Sequence, residues 1–574
     1  MRMLHRDEFN LIRKDKVSFW HSTGARLICI VLLGGALRFY NLKQSPPGLN
    51  QDEAANAWNA YCLLKTGKDQ AGVSWPIFYT HSLGGNSSTL YIYALLPFQA
   101  IGGLNIITTR LPAAAGGVIT ILLVYLVGKR LFDKNTGLAA ALLLSLNPWH
   151  LQQSRWGHEA SLGTLLGIAP LAVMLWANLP FSNSKDVSPR VLPAAIAGLV
   201  TGICCYGYHS VRLYLPVALV TAGLVTLPAW WHQFKTRRGA RAICMYILGF
   251  AFTFGPLAWQ HIFHPEGIAR HSQFQKALFS ADSISLTITN IASRYIQHFG
   301  PDFLFIHGDP YQIQSPPDAG QFHWYMLLLM VLGFIFIIHR FRPSYSARVL
   351  LALVLTYPIG DCFFKGDGMH ALRSSPGLCS LILLGAFGLI CGIRWLAKRN
   401  RSLANIIVVV FIVLAVGLNV RYLYHFYGEY NRRPVVYHGY YSDLVEACNW
   451  LRPRFDDDKI QAVFCSTDGM GMAYIVTLVC LKYDPGRWFG EARHFTTFDE
   501  FDFCDSYGKM YFMYGSAQPI LDKLPAFGLN GDVIFIVRPG ELDLENPVHR
   551  IYRPDGQETL RIFQVEAPTQ PMMN

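Results

Sequence analysis

Asp52 and Glu53 stand side by side in the stretch SPPGLNQDEAANAWNAY (Ser45–Tyr61), and they are the residues of this chain best placed to do chemistry. Pro46, Pro47 and Gly48 end whatever helix precedes them, and Asn50 suits the N-cap of a new one, so both acids fall in its first turn. Asn50-x-x-Glu53 has the spacing of a capping box, and acids in a first turn suit the helix dipole. That accounts for Glu53 and leaves Asp52 without a structural role. A carboxylate held at a membrane surface beside a helical bundle is a candidate general base. Asp52 and Glu53 therefore form the candidate catalytic pair, with Asp52 as the base. If Glu53 only closes the box, Glu53→Gln should retain most activity.

The elements that would position this pair are membrane helices. The chain has 574 residues, of which 52% are hydrophobic and only 15% charged, against about 25% charged in soluble proteins. Repeated apolar runs of about 17–20 residues indicate a polytopic helical membrane protein. The net charge of +12 sits in short loops between apolar runs, which is the pattern of membrane orientation and not of a nucleic-acid groove. The first apolar run lacks a small-residue cleavage site and reads as an uncleaved anchor. Twelve cysteines are scattered without a CxxC pair, so neither a disulfide framework nor a zinc site is indicated.

Eleven spans are expected: Ala25–Leu42, Arg110–Gly128, Gly137–His150, Ala160–Asn178, Val191–Tyr206, Leu213–Trp230, Ala242–Gln260, Trp324–Ile338, Val349–Phe364, Gly377–Ile393 and Ala404–Tyr422. Thr89–Leu104 is apolar too, but counting it as a span would put the basic loop Lys129–Lys134, and every later basic loop, outside. It is read as a juxtamembrane helix. The fold class is then mainly α: a transmembrane bundle with juxtamembrane helices and a small C-terminal α/β domain. Residues 1–24 are expected in the cytoplasm, 25–423 form the transmembrane domain, and 424–574 the extracytoplasmic α/β domain. Within the bundle, 43–109 and 261–323 are the first and the large extracytoplasmic loops. In the last domain Ser442 caps a helix to Leu451, Met470–Tyr483 is helical, and Ile460–Ser466, Lys509–Tyr514, Asp532–Val537 and Thr559–Glu566 are strands.

With that topology the unusual polar residues collect on the outer side. Arg110 heads the second span, SRWGHEAS carries Arg155, His158 and Glu159, and YGYHSVRLYLP carries His209 and Arg212. KGDGMHALRSSP adds Lys365, Asp367, His370 and Arg373. Each has a plainer account: Arg110 and Arg373 fit snorkelling at helix ends, Arg155, His158 and Glu159 fit a local salt bridge, and His209 fits a satisfied interface histidine. Their convergence on one vestibule favours binding of a lipid-linked phosphate. Arg110, Arg212 and Arg373 are the candidate phosphate-binding residues. Arg155, His158, His209, Lys365 and His370 are the candidate vestibule.

SPPGLNQDEAANAWNAY, TTRLPAAAGGVITILLVYLVGKRLF and SLNPWHLQQSRWGHEASL resemble the GT-C membrane glycosyltransferases, most closely the branch of protein O-mannosyltransferases and lipid A aminoarabinose transferases. FGPDFLFIHGDP followed by GQFHWY, and HALRSSPGLCSLILLGAFGL, look like a bacterial subgroup of it. The resemblance covers nearly all of Ala25–Tyr422. It implies a sugar donor on a polyprenyl phosphate, a hydroxyl acceptor on protein, lipid or glycan, contact with membrane lipid, and no nucleic acid. It also implies that Asp52 takes the acceptor's proton, that Arg110 meets the phosphate, and that the enzyme sits in the inner or plasma membrane with its site outside. Relatives often carry Arg where this chain has Ala55, and the aminoarabinose branch has Lys where it reads GGNSSTLYIY. Some relatives use a divalent metal; without a clear third carboxylate, no metal or other cofactor is expected here. A lipid-linked-sugar flippase would show inverted repeats and helices broken near midplane, which are not apparent. A surface-polysaccharide polymerase or ligase would share the donor chemistry.

Overall fold

The computed structural model describes residues 22–181, 188–264, 284–311, 313–314, 320–340, 344–364, 369–498, 501–527, 529 and 531–566. Lys365, Asp367 and the basic N-terminus to residue 21 lie outside these residues. Helix α1 (Thr23–Phe39) starts where the Ser22 hydroxyl accepts from Ala25 N. Helix α2 (Gln51–Thr66) carries the two acids, begins with the complete Asn50–Glu53 capping box and stops at Gly67 in the left-handed conformation. A short hairpin of β1 (Tyr79–Ser82) and β2 (Gly85–Ser88) leads into α3 (Thr89–Gly102). Helix α3 docks on its neighbours through Gln99 Nε2 to Ala57 O and the Tyr91 hydroxyl to Thr109 O.

The bundle continues with α4 (Ile106–Leu131), α5 (Lys134–Ser145), α6 (Pro148–Gln153), α7 (Gly163–Trp176), α8 (Val191–Cys204), α9 (His209–Val225), α10 (Leu227–Phe234) and α11 (Arg237–Phe263). Further helices follow at Ile284–Gln297, Tyr325–Arg340, Tyr345–Thr356, Leu378–Arg399 and Arg401–Tyr427. Small residues let them approach closely: a Cβ on Gly198 of α8 would lie 2.0 Å from Tyr246 O of α11, and one on Gly249 2.4 Å from Ala195 O.

Helices overlap all eleven expected spans, but among the described residues five are long and apolar enough to cross a membrane, or six if α9 and α10 count as one span. The difference has local causes. The third segment is split at Leu146–Asn147 ahead of Pro148, and the ninth breaks at Tyr357–Pro358. Helix α8, at 14 residues, and Tyr325–Arg340, at 16, are shorter than a straight span. The α9–α10 pair bends by 77° at Thr226, just before Pro228. That is a broken helix the apolar pattern alone did not reveal.

After the bundle, a seven-stranded mixed sheet has the order β4-β5-β6-β3-β7-β9-β8. The strands are β3 (Ile460–Ser466), β4 (Arg493–Phe498), β5 (Phe501–Tyr507), β6 (Met510–Met513), β7 (Asp532–Val537), β8 (His549–Tyr552) and β9 (Glu558–Glu566). β3 runs parallel to β6 and β7, and the outer pairings are antiparallel. Helices Ser442–Leu451 and Ala473–Leu481 cover one face. Ser442 is not the cap of its helix: Tyr441 holds that position at φ 48°, with no side-chain capping bond. The apolar core of this unit is continuous with α2, whose Ala54, Ala55, Ala57, Trp58 and Cys62 are buried in it.

Candidate active site

Glu53 is buried and saturated. Its Oε1 accepts from Arg110 Nε at 2.8 Å and Gly157 N at 2.7 Å, while Oε2 accepts from Arg110 Nη2 at 2.8 Å and Asn50 N at 3.1 Å. The capping box is therefore real but is the smaller part of what Glu53 does.

Arg110 spends its remaining N–H groups on the carbonyls of Leu42, Pro46 and Gly48, at 2.7–3.0 Å. All five of its donors are used inside a site with no solvent exposure, so none is left for a phosphate. The assignment of Arg110 to the donor phosphate is corrected on that ground. Snorkelling is no better an account, because the guanidinium never reaches an interface.

Arg155 is corrected in the same way. Its five donors go to the carbonyls of Leu37, Arg38, Asn41 and Ser45, the last twice, and it is fully buried. Neither a vestibule cation nor a local salt bridge describes it. Glu159, the acid expected to pair with it, instead accepts from Ser88 N at 2.8 Å. Together Arg110 and Arg155 hold seven carbonyls of the end of α1 and the connector after it, residues 37–48, which delivers Asp52.

Asp52 is placed differently. Its side chain is 39% exposed, and Oδ2 lies 3.7 Å from His158 Nε2. His158 Nδ1 accepts from Ala160 N at 2.9 Å, capping the short turn Glu159–Leu162, so a neutral ring carries its hydrogen on Nε2, toward Asp52. Burial holds the His158 imidazole below its ordinary value, and Asp52 only partly opposes this. The Asp52 carboxyl is raised by its shielded position, against the lowering effect of His158.

Tyr208 ties this half of the site to the other. Its ring meets His158 edge-on at 5.5 Å and His209 at 3.7 Å, and His209 in turn lies 4.7 Å from the Phe364 ring. Arg373 lies over the Phe364 ring at 4.8 Å, with Nη1 3.9 Å from Asp361 Oδ1, and keeps 13% side-chain exposure where Arg110 keeps none. Asp361 in turn accepts from His370 N at 3.0 Å and lies 3.2 Å from His298 Nε2.

His370 Nδ1 is 4.0 Å from Asp309, and its imidazole is pushed down to about 3 by burial and Arg373. Asp309, buried and bonded to the N–H groups of Ala371 and Tyr311, is pushed up to about 7. His209 stacks near Tyr208 and Phe364. Arg212 donates from Nε to Cys205 O at 2.8 Å and approaches His261 at 3.3 Å.

Asp52, His158, His209, His370 and Arg373 thus come together, joined by Tyr208, Asp361, Asp309 and His298, which the motifs did not single out. Asp361 did leave a signal, being an acid inside an apolar segment. Among the described residues no group of three or more His, Cys, Asp and Glu side chains could hold a metal ion.

Residues 87–259 match the family model described as dolichyl-phosphate-mannose-protein mannosyltransferase. Among solved structures, ArnT from Cupriavidus metallidurans bound to undecaprenyl phosphate matches with a TM-score of 0.52 and 13% identity, covering 96% of this chain and 100% of that one. The apo form of the same protein gives 0.51 and 12%, over 95% and 99% of the two chains. The Archaeoglobus fulgidus oligosaccharyltransferase tethered to an acceptor peptide gives 0.50 and 11%, over 95% of this chain and 74% of that one. Sequence comparison with curated proteins finds no match. At these identities the likeness is one of fold, and that fold is GT-C.

Proposed function

We propose that this GT-C-fold chain transfers a sugar from a polyprenyl-phosphate donor to a hydroxyl acceptor, with Asp52 as the general base. The observation that carries this reading is the pairing, across the rings of Tyr208, His209 and Phe364, of an accessible Asp52 backed by neutral His158 with the partly exposed Arg373. A hydroxyl is a poor nucleophile and needs a base within hydrogen-bond reach as it attacks. Asp52 takes its proton while the oxygen bonds to the anomeric carbon. The bond from that carbon to the phosphate oxygen breaks, and the polyprenyl phosphate leaves with the electron pair. Arg373, steadied by Asp361 and Phe364, meets the charge developing there. His158 faces one Asp52 oxygen with its Nε2–H from 3.7 Å, which leaves the other for the acceptor.

Incubating the purified protein with a panel of radiolabelled polyprenyl-phosphate sugars tests the reaction, and consumption of none would overturn it. Arg373→Ala should raise the donor KM by about 10–100-fold, the value of a charge-assisted hydrogen bond of about 1.5–3 kcal/mol. Unchanged donor kinetics in a stable variant would remove Arg373 from the phosphate site. Metal independence belongs to this proposal, so dialysis against EDTA should leave the rate unchanged.

The proposal also places the site on the extracytoplasmic face of the cell membrane. A reporter fused after Tyr424 should read outside and one after Arg238 inside. A cytoplasmic signal at Tyr424 would mean a miscounted span, with α3 the first suspect.

A further inference from the structure

Three consecutive residues ahead of the C-terminal sheet grip three consecutive residues ahead of Asp52. Tyr440 O accepts from Leu49 N at 2.6 Å, Gly439 O accepts from Asn50 Nδ2 at 2.8 Å, and the Tyr441 hydroxyl donates to Gln51 Oε1 at 2.8 Å. The approach is close enough that a Cβ on Gly48 would lie 2.1 Å from Tyr440 O, and Gly48 itself has φ 64°.

Tyr441 adopts φ 48°, ψ 40°, a left-handed conformation that glycine or asparagine enters readily and that costs other residues about 1–2 kcal/mol. Such a conformation persists only where the surrounding contacts hold it. The Tyr441 side chain is buried, and its hydroxyl is used twice, since it also accepts from Met472 N at 3.4 Å, at the start of the helix Ala473–Leu481. Further along α2, Trp58 meets Trp488 edge-on at 5.9 Å, and Trp488 Nε1 donates to Gln70 O at 3.0 Å. Ala55 is buried in the same interface.

We propose that Tyr441 is a positioning residue for the transfer reaction, its hydroxyl fixing Gln51 so that the N-terminus of α2 presents Asp52 in register with His158. This rests on the reading of Asp52 as the base. The C-terminal α/β unit then serves as the outer wall against which the catalytic helix is set.

Two variants test it, Tyr441→Phe and Gln51→Met, assayed as full-length protein with radiolabelled polyprenyl-phosphate mannose or with whichever panel sugar the wild type consumes faster. Misplacing a reacting group by about 1 Å costs up to about 100-fold, so kcat should fall about 10- to 100-fold while the donor KM stays within about twofold. Gln51→Met is the cleaner change, because Tyr441 still receives the Met472 N–H and the melting temperature should hold even if Tyr441→Phe lowers it. Combined with Asp52→Asn, either variant should add no further loss, since both act through that carboxylate.

Wild-type kcat in Gln51→Met, a change confined to donor KM, or a further multiplicative loss in the Asp52→Asn background would each overturn the positioning role. An active Asp52→Asn single variant would instead overturn the base assignment on which it rests.

Discussion

Asp52→Asn should fold, bind donor and transfer almost nothing, with kcat/KM lower by about 10²–10⁴-fold. The amide keeps the shape of the side chain, but it cannot take up the acceptor's proton. Donor affinity should survive, because removing a negative charge near a phosphate removes no attraction. Stability should not fall either. The Asp52 carboxyl is raised in the folded chain, so between its ordinary value and that raised value the folded state holds the extra proton, and stability declines as pH rises through the window. Asparagine cannot ionise and escapes that decline, so its melting temperature at neutral pH should equal or exceed the wild type's. In the wild type, the acid limb of the kcat/KM profile should lie above the ordinary aspartate value of about 3.9, where an unshielded carboxylate would titrate. An active Asp52→Asn sinks the base assignment. Loss of donor binding in Asp52→Asn would point to a metal bridging carboxylate and phosphate.

The features legible in the sequence are those that local chemistry decides. The capping box needs only Asn50 and Glu53, three residues apart, and both halves form. β3 and β7 were visible because IQAVFCS and DVIFIV are short runs of apolar and β-branched residues in the middle of the sheet, buried nearly throughout. β4 was not, because RHFTTF lies at the sheet's edge and is mostly exposed, with neither an apolar run nor an inward face to mark it.

The same distinction divides the site. Asp52 and His158 belong to segments whose motifs already stood out. Arg110 did too, but its role depends on Glu53 57 positions away and on carbonyls of a connector that no periodicity reveals. An arginine at a helix end looks alike in sequence whether it meets a ligand, lipid or the protein's own backbone. Only the destinations of its five N–H groups in the folded chain separate these. Tyr208 and Asp361 were missed for the converse reason, since each gains meaning only through a neighbour in space and not in the motif that carries it, His158 for Tyr208 and Arg373 for Asp361.

Glu53→Gln should be the more destructive of the two acid substitutions, and destructive in a different way. Were Glu53 only the far half of a capping box, glutamine would replace it at little cost. Its carboxylate accepts four hydrogen bonds, two from Arg110, and has no exposure. A glutamine offers one oxygen and turns an NH₂ toward groups that are themselves donors, leaving Arg110 charged, buried and without its counter-ion. Breaking a buried pair in this way costs about 3–5 kcal/mol, enough to lower the melting temperature and the yield of folded protein. Activity should fall along with stability, because Glu53 Oε1 also holds Gly157 N, the residue before His158, and so ties the Asp52 helix to the His158 loop. Arg110→Met should be as damaging alone, but the double variant Glu53→Gln/Arg110→Met should be less damaging than the two losses added, since it buries no unpaired charge. Thermal denaturation then tells the acids apart: Asp52→Asn inactive with a midpoint that does not fall, Glu53→Gln inactive with a lowered one. A Glu53→Gln protein as stable and active as wild type would return Glu53 to a capping role and leave the buried pair without energetic weight.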